Sequence, residues 1–333
     1  MAIRIGSRSS ANQAAAGKSR RYWACPRLKG CFHRAIIESG PLTRFVAPEQ
    51  ADELARAVLS ALEITPETAD KLHDLSWEQV VAAQSQVLSE QPMSMQTPGF
   101  PSGFWPVLDD HLIPAHVVDP KAVPSSRDVP LLIGQNGTEF TLIMLGDTAY
   151  SLDKAGLEQR VEHIFGAETA APILASYRRD FPDYDLSGLW VRIFSDYAMG
   201  TLSSAVIEAW TMSDAAPVYS YRFDWQTPID GGKLYSPHTI EIPFVFANAN
   251  VPAGQVMTQG GPEVADLAET VSSAWVAFAR HGRPSAPGLP DWPAYTQQRQ
   301  SMRINTRSRV GPYMDPDMDE LFHNKLWKAA GLA

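Results

Sequence analysis

The sequence predicts an α/β fold with a mainly parallel sheet. Short apolar runs ending at Gly, Pro or polar residues read as strands, and long segments with helical spacing separate them. The chain of 333 residues, 44% hydrophobic and 20% charged, is large enough for one big α/β domain or two smaller ones.

The opening segment differs from the rest. Arg4, Arg8, Lys18, Arg20, Arg21, Arg27, Lys29 and Arg34 all precede the first acid, Glu38, with no hydrophobic period among them. Residues 1–29 are therefore expected to be irregular, and residues 30–333 to form the folded unit. Arg34 to Pro41 reads as a short buried strand ending at Gly40-Pro41. Leu54, Val58, Leu59 and Leu62 mark a helix over Pro48 to Leu62. Thr65-Pro66-Glu67 opens a second helix, and Ser76-Trp77-Glu78-Gln79 fits a capping box for a third. Gln91 to Pro106, rich in Pro, Gly, Met and aromatic residues, reads as a surface loop. Val129 to Ile133 is a compact apolar run expected of a strand buried on both faces. Pro217 to Trp225 has the composition of a strand, and Glu263 to His281 that of a helix stopped by Gly282.

Composition excludes several functions. With 28 basic against 37 acidic side chains, the net charge is −9, which argues against a nucleic-acid partner. No apolar stretch approaches the ~20 residues that span a bilayer, and the start shows no signal-peptide core, so a cytoplasmic protein without a membrane partner is expected. Cys25 and Cys31, the two cysteines, are too few for a disulfide framework and lack the companions a zinc site needs. Free thiols are expected.

Two segments place a titratable residue after a strand or in a loop before a helix, where α/β sheets carry their sites. Leu131-Leu132-Ile133-Gly134-Gln135-Asn136-Gly137-Thr138-Glu139 presents Glu139, which alone reads as a helix N-terminal acid. The loop Gly231-Gly232-Lys233-Leu234-Tyr235-Ser236-Pro237-His238 presents His238, which alone reads as a packed loop residue.

Taken together and in order, these segments resemble the type-B carboxylesterases, the family of para-nitrobenzyl esterases and cholinesterases. Lys29-Gly30-Cys31-Phe32-His33-Arg34-Ala35-Ile36-Ile37-Glu38-Ser39-Gly40 looks like the family's strand after the nucleophile. Pro106-Val107-Leu108-Asp109-Asp110 is similar to its "P-V-x-D-G" turn. Val129 to Gly134 with Glu139 matches its "VPxLIGTNxDEG", and His238 with Glu241-Ile242-Pro243-Phe244-Val245-Phe246 matches its "HxxELPFVF". Phe278-Ala279-Arg280-His281-Gly282 and Leu289-Pro290-Asp291-Trp292-Pro293-Ala294-Tyr295 resemble its closing motif. The resemblance implies the C-terminal part of an α/β-hydrolase with a Ser-Glu-His triad. His238 would be the general base, Glu139 its orienting acid, and Ser39 a serine supporting that acid. Thr138 stands where the family often has Asp. The implied substrate is a small carboxylic ester, and no cofactor or metal is called for.

The nucleophile belongs on a G-x-S-x-G elbow, and these 333 residues contain none, nor a Gly-rich oxyanion loop. The chain is therefore expected to be inactive alone. A non-catalytic cholinesterase-like binding module or a decayed fragment is the alternative. Back-translation of Arg21 to Cys31 with the frame shifted by one base permits L-L-G-M-P-A-A-K-G-L, close to the family pattern at this place. Two explanations stand: an out-of-frame reading of an esterase gene before about Gly30, or a genuine alternative start. With the N-terminal half of the sheet missing, the Arg34–Ser39 strand is expected to be an open apolar edge prone to self-association.

Overall fold

Side-chain alternation along the strands sorts the core into two layers. The computed structural model describes residues 3–5, 25–40, 43–89, 97, 103–109, 111–119, 121–144, 148–213 and 215–332. Its strands are β1 (Ile3–Ile5), β2 (Ala35–Glu38), β3 (Val118–Asp119), β4 (Lys121–Ala122), β5 (Leu131–Asn136), β6 (Val218–Phe223), β7 (Gln300–Ile304) and β8 (Arg309–Pro312). Six of them form one sheet in the order β1-β2-β5-β6-β7-β8, parallel as far as β7, with β8 antiparallel; β3 and β4 pair separately. Every residue of β2, β5 and β6 is buried, as a parallel sheet covered on both faces requires.

The period of two then decides which layer each residue joins. Ala35, Ile37, Leu131, Ile133 and Val218 face one core, and Ile36, Leu132, Tyr219, Tyr221 and Phe223 face the other. The first core is closed by α3 (Lys154–Phe165), α4 (Ala167–Asp180), α5 (Leu186–Ser195), α6 (Thr201–Met212) and α10 (Pro316–Ala329). The second is closed mainly by the short α7 (Ile242–Val245) and by α9 (Pro262–His281), whose Val264, Leu267, Val271, Trp275 and Phe278 form an apolar stripe. Helix α8 (Pro252–Thr258) lies between these two in the chain. Helices α1 (Pro48–Ala61) and α2 (Trp77–Ser89) share a small core of their own through Leu54, Val58, Ala83 and Val87. A single π-turn, Asp196–Gly200, joins α5 to α6 and buries Asp196 against the sheet.

Several sequence expectations are met. The α1, α9 and β6 spans agree with the periodicities, and Ser76 and Gln79 cap each other, with Ser76 N–H donating to Gln79 Oε1 at 2.9 Å. Thr65-Pro66 opens a helix of the 3-10 type, Pro66–Asp74. Both cysteines are free, Cys25 buried and Cys31 exposed. Of the Gln91–Pro106 loop, only residue 97 and residues 103–106 fall among the described residues.

Two expectations are corrected. Residues 137–144 form turns, so Glu139 is not a helix N-terminal acid; its charge meets side chains and a strand-end N–H instead. The strand β2 is not an open edge either. Residues 3–5 of the basic opening segment lie alongside it as β1, with Ile3, Arg4 and Ile5 opposite Ala35, Ile36 and Ile37. Hydrogen-bond pairing needs only backbone, so a segment with no hydrophobic period can still supply a short strand.

Candidate active site

Parallel strands release their chains at one end of the sheet, and three of those releases converge. At the end of β2, Ser39 takes a left-handed backbone conformation (φ 51°), and its hydroxyl donates to Glu139 Oε1 at 2.6 Å. At the end of β5, the Asn136 N–H donates to the same oxygen at 2.6 Å. The other oxygen, Oε2, lies 2.5 Å from His238 Nδ1, from the loop after β6. Glu139 is buried, whereas the His238 side chain is 19% exposed. Ser39, Glu139 and His238, singled out in the sequence, are therefore brought into one contact group.

The acid loop and the histidine loop are stitched together. Thr138 N–H donates to the Ser236 carbonyl at 2.8 Å, Ser236 N–H returns to Thr138 Oγ1 at 3.0 Å, and Thr138 Oγ1 donates to the Leu234 carbonyl at 3.2 Å. An aspartate at 138 lacks the proton for that last bond, so the threonine found here suits this particular pairing. Ser236 Oγ also donates to the Phe223 carbonyl at the end of β6 at 2.6 Å. Thr239, next to His238, has φ 76°, a left-handed conformation that is uncommon for a β-branched residue and marks local strain.

Sequence reasoning did not assign roles to two neighbouring acids. Glu241 is buried with its Oε2 accepting from Asn136 Nδ2 at 2.5 Å and its Oε1 3.4 Å from Ser39 Oγ. Glu38, also buried, accepts from Trp275 Nε1 at 2.7 Å. Burial, and then the charges of Glu139 and Glu38, push Glu241 up to about 8. Burial opposes charge on His238. The Glu139 carboxylate and its hydrogen bond, with Glu241, outweigh that and raise the imidazole to about 9. The signal that could have found Glu241 is its place three residues after His238; what it does depends on contacts 105 and 202 residues away in sequence.

A histidine paired with a buried acid at the C-terminal ends of parallel strands, in a sheet covered on both faces, is an arrangement of the α/β-hydrolase fold. The family profile described as the carboxylesterase family matches residues 19–321, and the chain belongs to that family. It is 30% identical over 308 residues to the para-nitrobenzyl esterase of Bacillus subtilis (strain 168), covering 92% of this chain and 59% of that protein. It is 29% identical to the phenmedipham hydrolase of Pseudarthrobacter oxydans, over 81% of this chain and 53% of that one. Among solved structures, a PNB esterase superposes with a TM-score of 0.71 at 26% identity, covering 96% of this chain and 62% of its own. A Geobacillus stearothermophilus carboxylesterase at pH 6.2 gives the same TM-score and identity, with 93% and 62% covered. The chain thus spans a little more than half the length of the curated relatives it matches. Among the described residues, no helix is long and apolar enough to cross a membrane.

Proposed function

We propose that the chain carries the base and the acid of a carboxylic ester hydrolase, with His238 as general base, Glu139 as the acid that orients it and Ser39 as the support of that acid. The observation that carries this reading is the 2.5 Å contact of His238 Nδ1 with buried Glu139, on a side chain that remains partly open. Glu139 at Nδ1 fixes the tautomer of the neutral ring, the form that grows in as pH rises toward about 9, and so leaves Nε2 to take a proton from an attacking hydroxyl and to return it to the leaving alcohol. Acyl transfer would proceed through an ester of that hydroxyl, so small carboxylic esters are the substrate class. The two unpaired cysteines accord with a reducing, cytoplasmic setting.

The hydroxyl itself is the part these 333 residues do not offer. None of them lies in a G-x-S-x-G sequence, and triad members act as a unit, so the polypeptide alone should hydrolyse esters no faster than a nucleophile knock-out. The test is a chromogenic short-chain ester assay on the purified polypeptide and on His238→Ala, with a fluorophosphonate label to report any reactive serine. Equal rates for the two proteins and no label are expected. Turnover abolished both by His238→Ala and by replacing a serine among residues 1–30 would overturn the missing-hydroxyl reading. Turnover indifferent to His238 would overturn the role of the base.

A further inference from the structure

On the sheet face covered by α4 and α5, a cavity of about 360 Å³ opens between α4, α5, β7 and β8. None of Ser39, Glu139, His238 and Glu241 lines it. Four arginines and three aspartates line it, and an ion-pair network that includes Arg222 and Asp224 backs them. Arg192 Nε donates to Asp196 at 3.2 Å and Arg192 Nη1 to Asp224 at 2.9 Å. Arg222 Nη2 reaches Asp196 at 2.5 Å and Arg303 Nε reaches Asp224 at 2.6 Å. Three guanidinium groups therefore share two carboxylates, and Arg222 keeps Nε and Nη1 buried without an acceptor. At the rim, Arg179 pairs with both Asp180 and Asp315.

Arg309 completes the wall and is the informative residue. It sits directly opposite Arg303 across the β7–β8 pair, and like charges in that position repel. It has no carboxylate partner among the described residues, although it lines the cavity. Gly311, on the same face of β8, leaves the space between them open: a side-chain carbon there would lie 3.8 Å from Arg309 Nη1 and 3.9 Å from Arg303 Cγ. Of the side chains that line the cavity, Arg179, Arg192, Arg303 and Arg309 stand against Asp180, Asp196 and Asp315, which leaves one positive charge in excess. Phe181, Pro312, Met314 and Pro316 give the same cavity apolar walls.

We propose that this cavity binds a small organic monoanion, a carboxylate with an apolar body, whose charged end is held between Arg309 and Arg303 over Gly311. One surplus positive charge suits a monoanion, whereas a dianion such as phosphate would also meet Asp180, Asp196 and Asp315. The apolar walls suit a ring or short chain.

Benzoate is the probe, titrated against the full chain by ligand-observed NMR, with benzamide as its neutral isostere and inorganic phosphate as competitor. Saturable benzoate binding is expected, with none for benzamide and little competition from phosphate. Arg309→Ala, at an exposed site, should keep its melting temperature and weaken benzoate by about tenfold; Arg309→Lys should recover part of that loss. His238→Ala should bind benzoate like the parent protein. The inference is overturned if benzoate does not saturate, if Arg309→Ala binds it equally well, if benzamide binds equally well, if phosphate displaces benzoate at equal concentration, or if His238→Ala abolishes binding.

Discussion

Glu139 makes three contacts that bear on one histidine: it accepts hydrogen bonds from Ser39 and Asn136 on one oxygen and leaves the other for Nδ1. Its removal should be visible without any substrate. Burial, the largest influence on His238, favours the neutral ring, so Glu139→Gln should drop the imidazole from about 9 to its ordinary value or below, read by NMR titration of the ring protons. The sign for stability follows. A histidine raised in the folded state contributes fully below its unfolded pKa near 6.5 and loses that contribution as pH rises through about 9. Glu241 acts oppositely in kind. The unfolded chain releases this proton near 4.5 while the folded chain holds it to about 8, so folding is penalised progressively across that window. Glu241→Gln keeps the shape without the ionisation. Urea titrations at a series of pH values should show a flatter loss of stability between about 4.5 and 8 in the variant, and a variant at least as stable as the parent at pH 8.

Among the elements, those with an uninterrupted period were legible. α9 is read almost residue for residue, because an α-helical stripe ended by Gly282 has few alternatives, whereas the apolar run Val129–Ile133 gives only the first half of β5, which continues through Gly134-Gln135-Asn136. The α3–α6 layer was not assigned helix by helix. Helix α6 is buried nearly all round and shows no one-sided stripe. The π-turn breaks the period between it and α5, although Leu186, Leu189, Trp190, Ile193 and Phe194 do stand at helical spacing in α5. This layer also supports the site from behind. Tyr235, in the histidine loop, stacks on Tyr184 at 4.3 Å, its hydroxyl accepts from the Asp185 N–H at 3.2 Å, and its ring rests on Gly188 in α5. A side-chain carbon at Gly188 would come within 2.5 Å of that ring. Gly188→Ala gains helix propensity but must displace Tyr235, and should cost about 1–3 kcal/mol net in urea unfolding. The same change should shift the His238 ring resonances, since Ser236 and Pro237 follow directly from Tyr235.

For the whole molecule the sheet edges matter most. At one edge, β8 carries Arg309 and ends at Pro312, features that discourage pairing with another chain. At the other, among the described residues, the three residues of β1 lie against the buried apolar strand β2. Arg4→Pro with Ile5→Pro removes two backbone N–H groups from β1 and should uncover β2. Sedimentation velocity is expected to show more self-association for this double variant than for the parent chain; an unchanged distribution would mean that β1 protects nothing.

The sequence by itself determined the α/β class through its periodicities and singled out His238, Glu139 and Ser39 through motifs that resemble the family, because each period and each motif is a property of residues close together in the chain. Tertiary structure alone decided which oxygen of Glu139 meets which partner, that Glu241 and Glu38 lie buried beside it, and that Arg303 faces Arg309 across a strand pair. The physical reason is that charge, burial and hydrogen bonding depend on through-space neighbours. Those neighbours come from strands and loops about a hundred residues or more apart for the acids, and from strand register for the arginines.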